Sequence, residues 1–278
     1  MKKTKIIVCC HKNDVYKEDD TYMPIQVGKA ISDVDLGIQG DNTGDNISHK
    51  NKSYCELTGM YWAWKNIKDA DYIGLCHYRR YFDFHNIGRY GFPITTIKTK
   101  DFQQLDFSIS REAQKWLEKG GCFIAKPEHE RVSLFLQYCE GHYSEDIRTL
   151  KRAIYETLPT EYQDAFYKHI IRSNKFSRYN MFLMNWNQFD NLCSRLFPLL
   201  EYVEKRIDIC NYTPFQQRIY GFMAERLLNM FVYADNRKVK YLPILKISEE
   251  PEENDVNILR YILRTKLRDL ATIVSSRY

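Results

Sequence analysis

The chain has 278 residues, of which 44% are hydrophobic, 28% charged and 14% aromatic, and its formal net charge is +5. This composition is that of a folded protein with a sizeable core, and it excludes a disordered or fibrous chain. The modest positive charge favours an anionic small ligand or an acidic membrane surface without requiring nucleic acid.

The first residues and the cysteines indicate the expected compartment. Lys2, Lys3 and Lys5 accompany an apolar run of only Ile6–Cys10, which is too short for the core of a signal peptide. The eight cysteines include no CxxC pair or Cys/His ligand spacing, so we expect reduced core residues. No stretch reaches the roughly 18 uninterrupted apolar residues of a membrane span. The sequence therefore predicts a cytoplasmic protein, and the absence of RNA-recognition, KH and zinc-finger patterns predicts no nucleic-acid partner.

The first third of the chain contains a strand, a loop and a helix in that order. The β-branched run Lys5–Cys10 predicts a buried first strand that ends at the polar residues His11 and Lys12. Asp33–Ser48 is rich in Gly, Asp and Asn and predicts a loop. Over about 53–66, apolar residues recur at three- and four-residue spacing, which predicts a helix with one apolar face.

Strand and helix signals alternate along the rest of the chain. A second buried strand, Asp71–Cys76, ends in the polar and aromatic run His77–Phe82. Further strands are predicted at 121–125, 179–185 and 240–247, and helices at about 108–119, 130–142, 144–157, 160–172, 187–206 and 214–234. Thr160 and Gln163 have the spacing of a capping box. The alternation predicts an α/β fold with a mixed central sheet, in which 130–172 forms a helical insertion.

The end of the chain differs in composition from the rest. Ser248–Asp255 is acidic and contains a proline, and it precedes a basic amphipathic helix over about 258–274. We therefore expect one domain over residues 1–247, followed by a linker and a C-terminal helix over 248–278. The helix either lies on an anionic membrane surface or packs on the domain, and both interpretations stay open.

The run His77-Tyr78-Arg79-Arg80 carries the strongest chemical signal. In open α/β sheets, ligands bind just beyond the carboxyl ends of the strands, which is where this run lies. Two adjacent guanidinium groups there can present fork-shaped donors to phosphate oxygens. The alternative is a cluster of surface ion pairs, and the sequence favours neither interpretation.

Several motifs in the first third of the chain occur together. They are Tyr22–Gly28, Asp41–Ser48, Asn51, Glu56–Asn66 and Tyr72–Phe82. This combination resembles a bacterial family long catalogued as a domain of unknown function and found in capsule and O-antigen loci. The resemblance covers about residues 4 to 235.

The resemblance implies a GT-A-like glycosyltransferase. Characterised members of the family imply transfer of galactofuranose from UDP-galactofuranose with inversion, to a growing surface polysaccharide or a lipid-linked glycan. Such an acceptor would place the cytoplasmic enzyme at the inner membrane face. On this basis the expected partners are a UDP-sugar donor, a glycan acceptor and an anionic membrane surface.

The donor-binding residues follow partly from the resemblance and partly from the strand ends. The candidates are His11, Lys12, Asn51, Glu56, Tyr61, His77, Tyr78, Arg79 and Arg80. A GT-A enzyme commonly uses paired aspartates to hold a divalent cation against the diphosphate, but Asp69 and Asp71 lie before the second strand, at its wrong end. We therefore expect no cofactor and no divalent metal, with arginine, histidine and tyrosine donors taking the electrostatic role of the metal.

Inverting transfer also requires a carboxylate that accepts the proton of the acceptor hydroxyl. Glu225 is the first candidate, with Asp83 and then Asp146 as alternatives, and a structural pairing of Glu225 with Arg226 is equally consistent with the sequence. The resemblance of 177–185 and 215–226 to the acceptor-side segments of such enzymes implies acceptor binding by Tyr179, Asn180, Gln217 and Arg218.

Two other functions remain open at this stage. The strand Asn180–Asn185 is also compatible with a retaining, metal-dependent hexosyltransferase. A non-catalytic glycan- or nucleic-acid-binding protein would bind ligand without turning over a donor.

Overall fold

The structure is a computed structural model that describes residues 2–235, 237–250 and 258–275. Its chain divides into two compact units. The described residues within Met1–Lys126, Tyr179–Asp190 and Lys238–Asp255 form the first, here called the sheet unit. Those within Pro127–Arg178, Asn191–Arg237 and Val256–Tyr278 form the second, here called the helical unit. The predicted α/β fold with a mixed sheet and a helical insertion is confirmed, whereas the predicted domain boundary at residue 247 stays a prediction.

Most of the strands belong to the sheet unit. They are β1 (Thr4–Cys10), β2 (Tyr22–Gln26), β3 (Gln39–Gly40), β4 (Tyr72–His77), β5 (Arg80–Phe82), β6 (Ile94–Ile97), β7 (Gly121–Ala125), β8 (Glu128–His129), β9 (Lys175–Phe176), β10 (Phe182–Asn185), β11 (Lys238–Leu242) and β12 (Ile244–Ile247). The main sheet has the order β11-β7-β10-β4-β1-β2-β3. β5 also pairs with β4, and β12 pairs with both β5 and β6. β8 and β9 form a separate pair in the helical unit.

The helices occur in both units. They are α1 (Asn51–Tyr54), α2 (Leu57–Asn66), α3 (Arg111–Glu118), α4 (Leu134–Gly141), α5 (Ser144–Thr157), α6 (Thr160–Phe166), α7 (Trp186–Glu204), α8 (Ile219–Ala234) and α9 (Ile258–Ser275). A single π-helical turn, Tyr167–Ile171, continues α6. Among the described residues, no helix has the length and apolar character that crossing a membrane requires.

The direction of each strand in the main sheet determines which strand ends lie at the same edge. β1 pairs in parallel with both β2 and β4, so their carboxyl ends lie at one edge. β10 runs antiparallel to β4, with Phe182 opposite Leu75, so β10 begins at that same edge. The central strands are almost completely buried, as expected for β-branched runs covered on both faces.

The predicted helix over 53–66 is wrong in one respect, because it is interrupted. Cys55 has φ 52°, which ends α1 before α2 begins at Leu57. The Cys55 carbonyl accepts hydrogen bonds from the Asn51 amide at 2.7 Å and the Thr58 hydroxyl at 3.1 Å. Polar side chains therefore satisfy the backbone at the break, as they do at helix ends.

Two predicted strands also have bounds that differ from those in the structure. The strand predicted over 179–185 begins only at Phe182, because Tyr179 and Asn180 have φ values of 73° and 51°. The strand predicted over 240–247 is two strands, β11 and β12, that are separated by Pro243. A proline cannot donate to a sheet ladder, so it marks the corner between them.

Candidate functional site

Polar side chains gather where β1 and β4 end and β10 begins. These residues, here called the strand-end cluster, are His11, Lys12, Asp14, Glu56, His77, Tyr78, Arg79, Arg80, Tyr179 and Asn180. All of them belong to the sheet unit. The sequence predicted every member except Asp14. Ion pairs, ring contacts and hydrogen bonds link neighbouring members of the cluster.

Arg79 forms an ion pair at the start of the cluster. Its guanidinium lies 2.5 Å from the Asp14 carboxylate, and the Lys12 ammonium lies 4.0 Å from the same carboxylate. The Asp14 side chain is only 12% exposed, so this pair is better shielded from water than a surface pair. The ion-pair interpretation of the sequence therefore applies to Arg79, whose charge Asp14 partly offsets.

Arg80 has a different environment. Its guanidinium carbon lies 4.4 Å above the centre of the Tyr179 ring, a cation–π arrangement. Within the described residues, its Nε is buried and has no hydrogen-bond partner. A buried donor left unpaired costs about 1–3 kcal/mol, so Nε is a group that an anionic ligand would stabilise.

His77 holds the backbone beneath that ring. Its Nε2 lies 2.8 Å from the Tyr179 carbonyl oxygen, which can only accept, so Nε2 carries the proton. Tyr179 and Asn180 both adopt left-handed backbone, which is unfavourable for a tyrosine by about 1 kcal/mol or more. The contacts of His77 and Arg80 with Tyr179 help to maintain this conformation.

Tyr78 lies in the centre of the cluster. Its ring meets the His11 ring edge-on, with centroids 5.3 Å apart, and burial raises the pKa of its hydroxyl. The Tyr78 carbonyl accepts a hydrogen bond from the buried Tyr81 hydroxyl at 3.1 Å, and that hydroxyl accepts from the Lys17 amide at 2.9 Å. The turn that presents Arg79 and Arg80 is thus anchored to the core.

Glu56 connects the cluster to α2. Its carboxylate accepts a hydrogen bond from the Asn180 amide at 2.7 Å. Asn51 packs against Gly28, where a Cβ would lie 2.6 Å from the Asn51 side chain. Since Gly28 has φ 69° as well, both the space and the backbone require glycine there. Asn51 donates its amide hydrogens to Cys55 and Thr58, so the structure assigns it to the α1–α2 break.

Tyr61 is the remaining predicted donor residue. Its hydroxyl donates to the Asp45 carboxylate at 3.2 Å, and Lys65 lies over its ring. These contacts link α2 to the preceding loop, and none of them reaches the strand-end cluster.

That loop is organised by a buried carboxylate. Asp41 is fully buried and accepts hydrogen bonds from the backbone amides of Gly28 at 2.9 Å and Lys29 at 3.1 Å, and from the Ser48 hydroxyl. The acidic, glycine-rich motif found in the sequence is therefore a folding element of the sheet unit.

Asp83, predicted as a catalytic alternative, also bonds to backbone. It is 2% exposed, and its two oxygens accept from the amides of His85 at 3.2 Å, Ile87 at 2.9 Å and Gly88 at 2.8 Å. This geometry supports a role in shaping the 84–88 loop.

Two residues that the sequence reasoning passed over lie at the same sheet edge. Asp14 was missed because an acid in a loop after a strand has no distinctive spacing. Lys126 follows β7, which runs in the same direction as β4, and burial lowers the pKa of its ammonium. Its Nζ donates to the Gly91 carbonyl at 2.8 Å. For Lys126, a cation directly after a buried strand was a usable signal in the sequence.

Glu225, Gln217 and Arg218 lie in the helical unit. Glu225 is half-buried on α8, and its backbone carbonyl accepts from the Asn229 amide at 2.8 Å. Gln217 donates to the Tyr212 carbonyl at 3.1 Å, and Arg218 lies over the Phe222 ring. Their catalytic and acceptor roles stay predictions.

The helical unit contains a buried carboxyl of its own. Asp146 is 1% exposed and accepts hydrogen bonds from the hydroxyls of Tyr212 at 2.8 Å and Tyr138 at 3.5 Å. Burial raises the pKa of Asp146, and the two tyrosine hydroxyls only partly oppose this shift.

We expect this shift to make stability depend on pH. Because the folded pKa of Asp146 lies above the value of about 3.9 in an unfolded chain, its contribution is full at lower pH and is lost as pH rises through the folded pKa. Asp146→Asn has nearly the same shape and does not titrate; its amide oxygen can accept from one tyrosine hydroxyl, and its NH2 group can donate to the other. Its melting temperature relative to the wild type should therefore be higher at pH 7 than at pH 4. Asp164→Asn, at an exposed position on α6, is the matched control. If the melting temperature of Asp146→Asn differs from that of the wild type by the same amount at pH 7 and pH 4, the pKa of Asp146 is not raised.

Two acids precede β4, where the sequence showed an Asp-Ala-Asp pattern. Asp69 forms an ion pair with Lys3, and Asp71 accepts from the Lys3 amide at 2.7 Å, both next to the amino end of β4. The part of the chain that the structure describes holds no group of three or more His, Cys, Asp or Glu side chains arranged to bind a metal ion.

The chain is similar to a solved structure, the WbbM bifunctional glycosyltransferase in its apo state, with 29% sequence identity and a TM-score of 0.80. The match covers 92% of this chain and 47% of that one, so the chain spans about half the length of the protein it matches. This similarity is consistent with the predicted GT-A-like architecture.

The sequence comparisons place the chain in a family. It belongs to the family described as Domain of unknown function (DUF4422), which matches residues 5–237. No curated protein matches the chain significantly. The resemblance to a family catalogued as a domain of unknown function is confirmed.

Proposed function

We propose that the chain is a glycosyltransferase that transfers a sugar from a UDP-sugar to a growing surface polysaccharide or a lipid-linked glycan. Galactofuranose, transferred with inversion, is the first candidate for the sugar. The observation that carries this proposal is the pair Arg79 and Arg80 at the carboxyl end of β4, in a chain similar to a structure titled as a bifunctional glycosyltransferase.

The diphosphate of the donor lies against Arg80 in this proposal. As the bond between sugar and diphosphate breaks, negative charge grows on the leaving oxygens, and preorganised cationic donors stabilise that charge. The buried Nε of Arg80 would then gain a partner, and the Tyr179 ring fixes the guanidinium plane. His77 positions Tyr179 through its carbonyl, so we assign His77 to positioning and not to direct binding.

The donor sugar and ribose present hydroxyls to the remaining members of the cluster. A carboxylate accepts two hydroxyl hydrogen bonds well, and Asn180 fixes the Glu56 carboxylate for that purpose. His11 and Lys12 follow β1, where a nucleotide lies in open α/β sheets. Tyr179 and Asn180 are proposed to border the acceptor, and Glu225 stays the predicted proton acceptor.

A panel of UDP-sugars tests the proposal. UDP-galactofuranose, its pyranose isomer, UDP-glucose and UDP are added separately, and thermal unfolding and the hydrolysis of each UDP-sugar to UDP and free sugar are measured. A ligand at 100 times its dissociation constant should stabilise the fold by about 2.7 kcal/mol. Stabilisation by none of these ligands, with no hydrolysis of any UDP-sugar, would support the non-catalytic alternative instead.

We further propose that no divalent metal takes part, so turnover should survive excess chelator. The physical reason is that cationic side chains stand where a metal-binding acid pair would otherwise be needed. The measurement compares initial rates with and without chelator. Loss of activity that manganese or magnesium restores would favour the metal-dependent hexosyltransferase.

A further inference from the structure

The C-terminal helix α9, which belongs to the helical unit, contacts β8 of that unit through its polar side. The His129 ring lies 2.6 Å from the Asp269 carboxylate, and the Arg268 guanidinium donates to the His129 carbonyl at 2.6 Å. Thr272, one turn further along, is 3% exposed. A polar strip of α9 therefore docks on β8.

The opposite side of α9 is apolar and exposed. Its members are Leu259, Ile262, Leu263, Leu267, Leu270 and Ile273, with exposed fractions from 43% to 72%. At about 100° per residue they cover an arc of about 140°. An amphipathic helix on a soluble domain normally buries this arc, and a contiguous exposed apolar surface marks an interaction site.

Basic side chains accompany the exposed arc. Arg260 and Arg264 run along one border, and Lys266 lies within it, all three exposed. Within α9, the one acidic side chain is Asp269, and that side chain faces His129. The outward surface of α9 is therefore both apolar and positively charged.

We propose that this surface binds an anionic lipid bilayer, with α9 lying in the plane of the interface. Leucine and isoleucine side chains would enter the region between headgroups and acyl chains, while Arg260, Arg264 and Lys266 contact anionic headgroups. The helix is amphipathic, and a surface position suits it where a spanning one does not. The inference goes beyond glycosyl transfer, because lipid binding needs neither donor nor acceptor.

Co-sedimentation of the full chain with vesicles tests this proposal. Vesicles of phosphatidylcholine with phosphatidylserine or phosphatidylglycerol are compared with vesicles of phosphatidylcholine alone. Binding should be strong on the anionic vesicles and should weaken as salt is raised. Leu263→Gln with Leu267→Gln should lower binding at least tenfold, whereas Leu136→Gln, at an exposed leucine of α4, should leave it unchanged.

Charge variants give a second, independent readout. Replacing Arg260, Arg264 and Lys266 by Gln should weaken binding about a hundredfold, because each basic residue near an anionic surface contributes about 1 kcal/mol to binding. Replacing the acids Glu252 and Glu253, which precede the helix in sequence, by Gln should strengthen it. Melting temperature checks that each variant is folded.

Two results would overturn the proposal. One is the absence of binding to anionic vesicles at low salt by the folded wild-type chain. The other is self-association of the wild type, abolished by Leu263→Gln with Leu267→Gln and without vesicle binding, which would show that a second copy covers the arc.

Discussion

Arg80→Ala is expected to lower the rate of sugar transfer by about two orders of magnitude, the scale for loss of one preorganised donor to developing charge. Arg79→Ala should have a smaller effect, because Asp14 already offsets part of its charge. Steady-state transfer from the preferred UDP-sugar measures both, alongside UDP affinity and melting temperature.

Two further variants distinguish a catalytic role of Arg80 from a role in packing. Arg80→Lys keeps the charge but not the planar guanidinium, so it should recover only part of the rate. Arg89→Ala is the matched control, since Arg89 is an exposed arginine of the sheet unit that also lies over an aromatic ring. If Arg80→Ala keeps a near-normal transfer rate and UDP affinity, the diphosphate does not bind at this site.

Asp41→Ala should cause a large loss of stability in the sheet unit. It leaves the buried amide of Gly28 and the amide of Lys29 without their acceptor, and it removes the partner of the Ser48 hydroxyl. Hydrogen bonds to a charged group contribute about 1.5–3 kcal/mol each, so the loss of all three should lower the free energy of unfolding by at least about 4 kcal/mol. Urea unfolding measures it.

A neighbouring aspartate provides the comparison. Asp35 pairs with Lys29 at 2.7 Å but its side chain is 75% exposed, so Asp35→Ala should change the urea midpoint far less. Equal effects of the two variants would mean that the Asp41 hydrogen bonds do not stabilise the fold.

The sequence predicted the parts of this fold that local patterning determines. The buried runs of β1, β4 and β7 are apolar and bounded by polar residues, and their positions agree closely with the structure. Because parallel strands end at one edge, the same patterns also predicted that His11 and Arg79 belong to one site. The contacts through Tyr78 connect them.

Features that depend on distant contacts were not predictable. The left-handed backbone at Tyr179 is held in part by a hydrogen bond from His77, which is far away in sequence, and no local pattern indicates it. The capping box predicted from Thr160 and Gln163 is wrong, because Pro159 occupies the cap position and the Gln163 amide donates to the Leu158 carbonyl at 3.1 Å. The pairing of Arg79 with Asp14 joins two loops whose spacing in sequence carries no signal.

The position of β10 has a consequence for biosynthesis. In the main sheet, β10 lies between β7 and β4, with Phe182 opposite both Ile124 and Leu75. A ribosome releases β4 and β7 long before it releases β10, so the nascent chain carries two strands that lack the neighbour joining them. Unpaired strand edges invite aggregation, and pairings between distant segments form slowly. β10 can join β4 to β7 only after residues 127–178 have emerged, and β11 pairs with β7 later still. The early nascent chain is therefore a stage at which chaperones would protect unpaired strand edges.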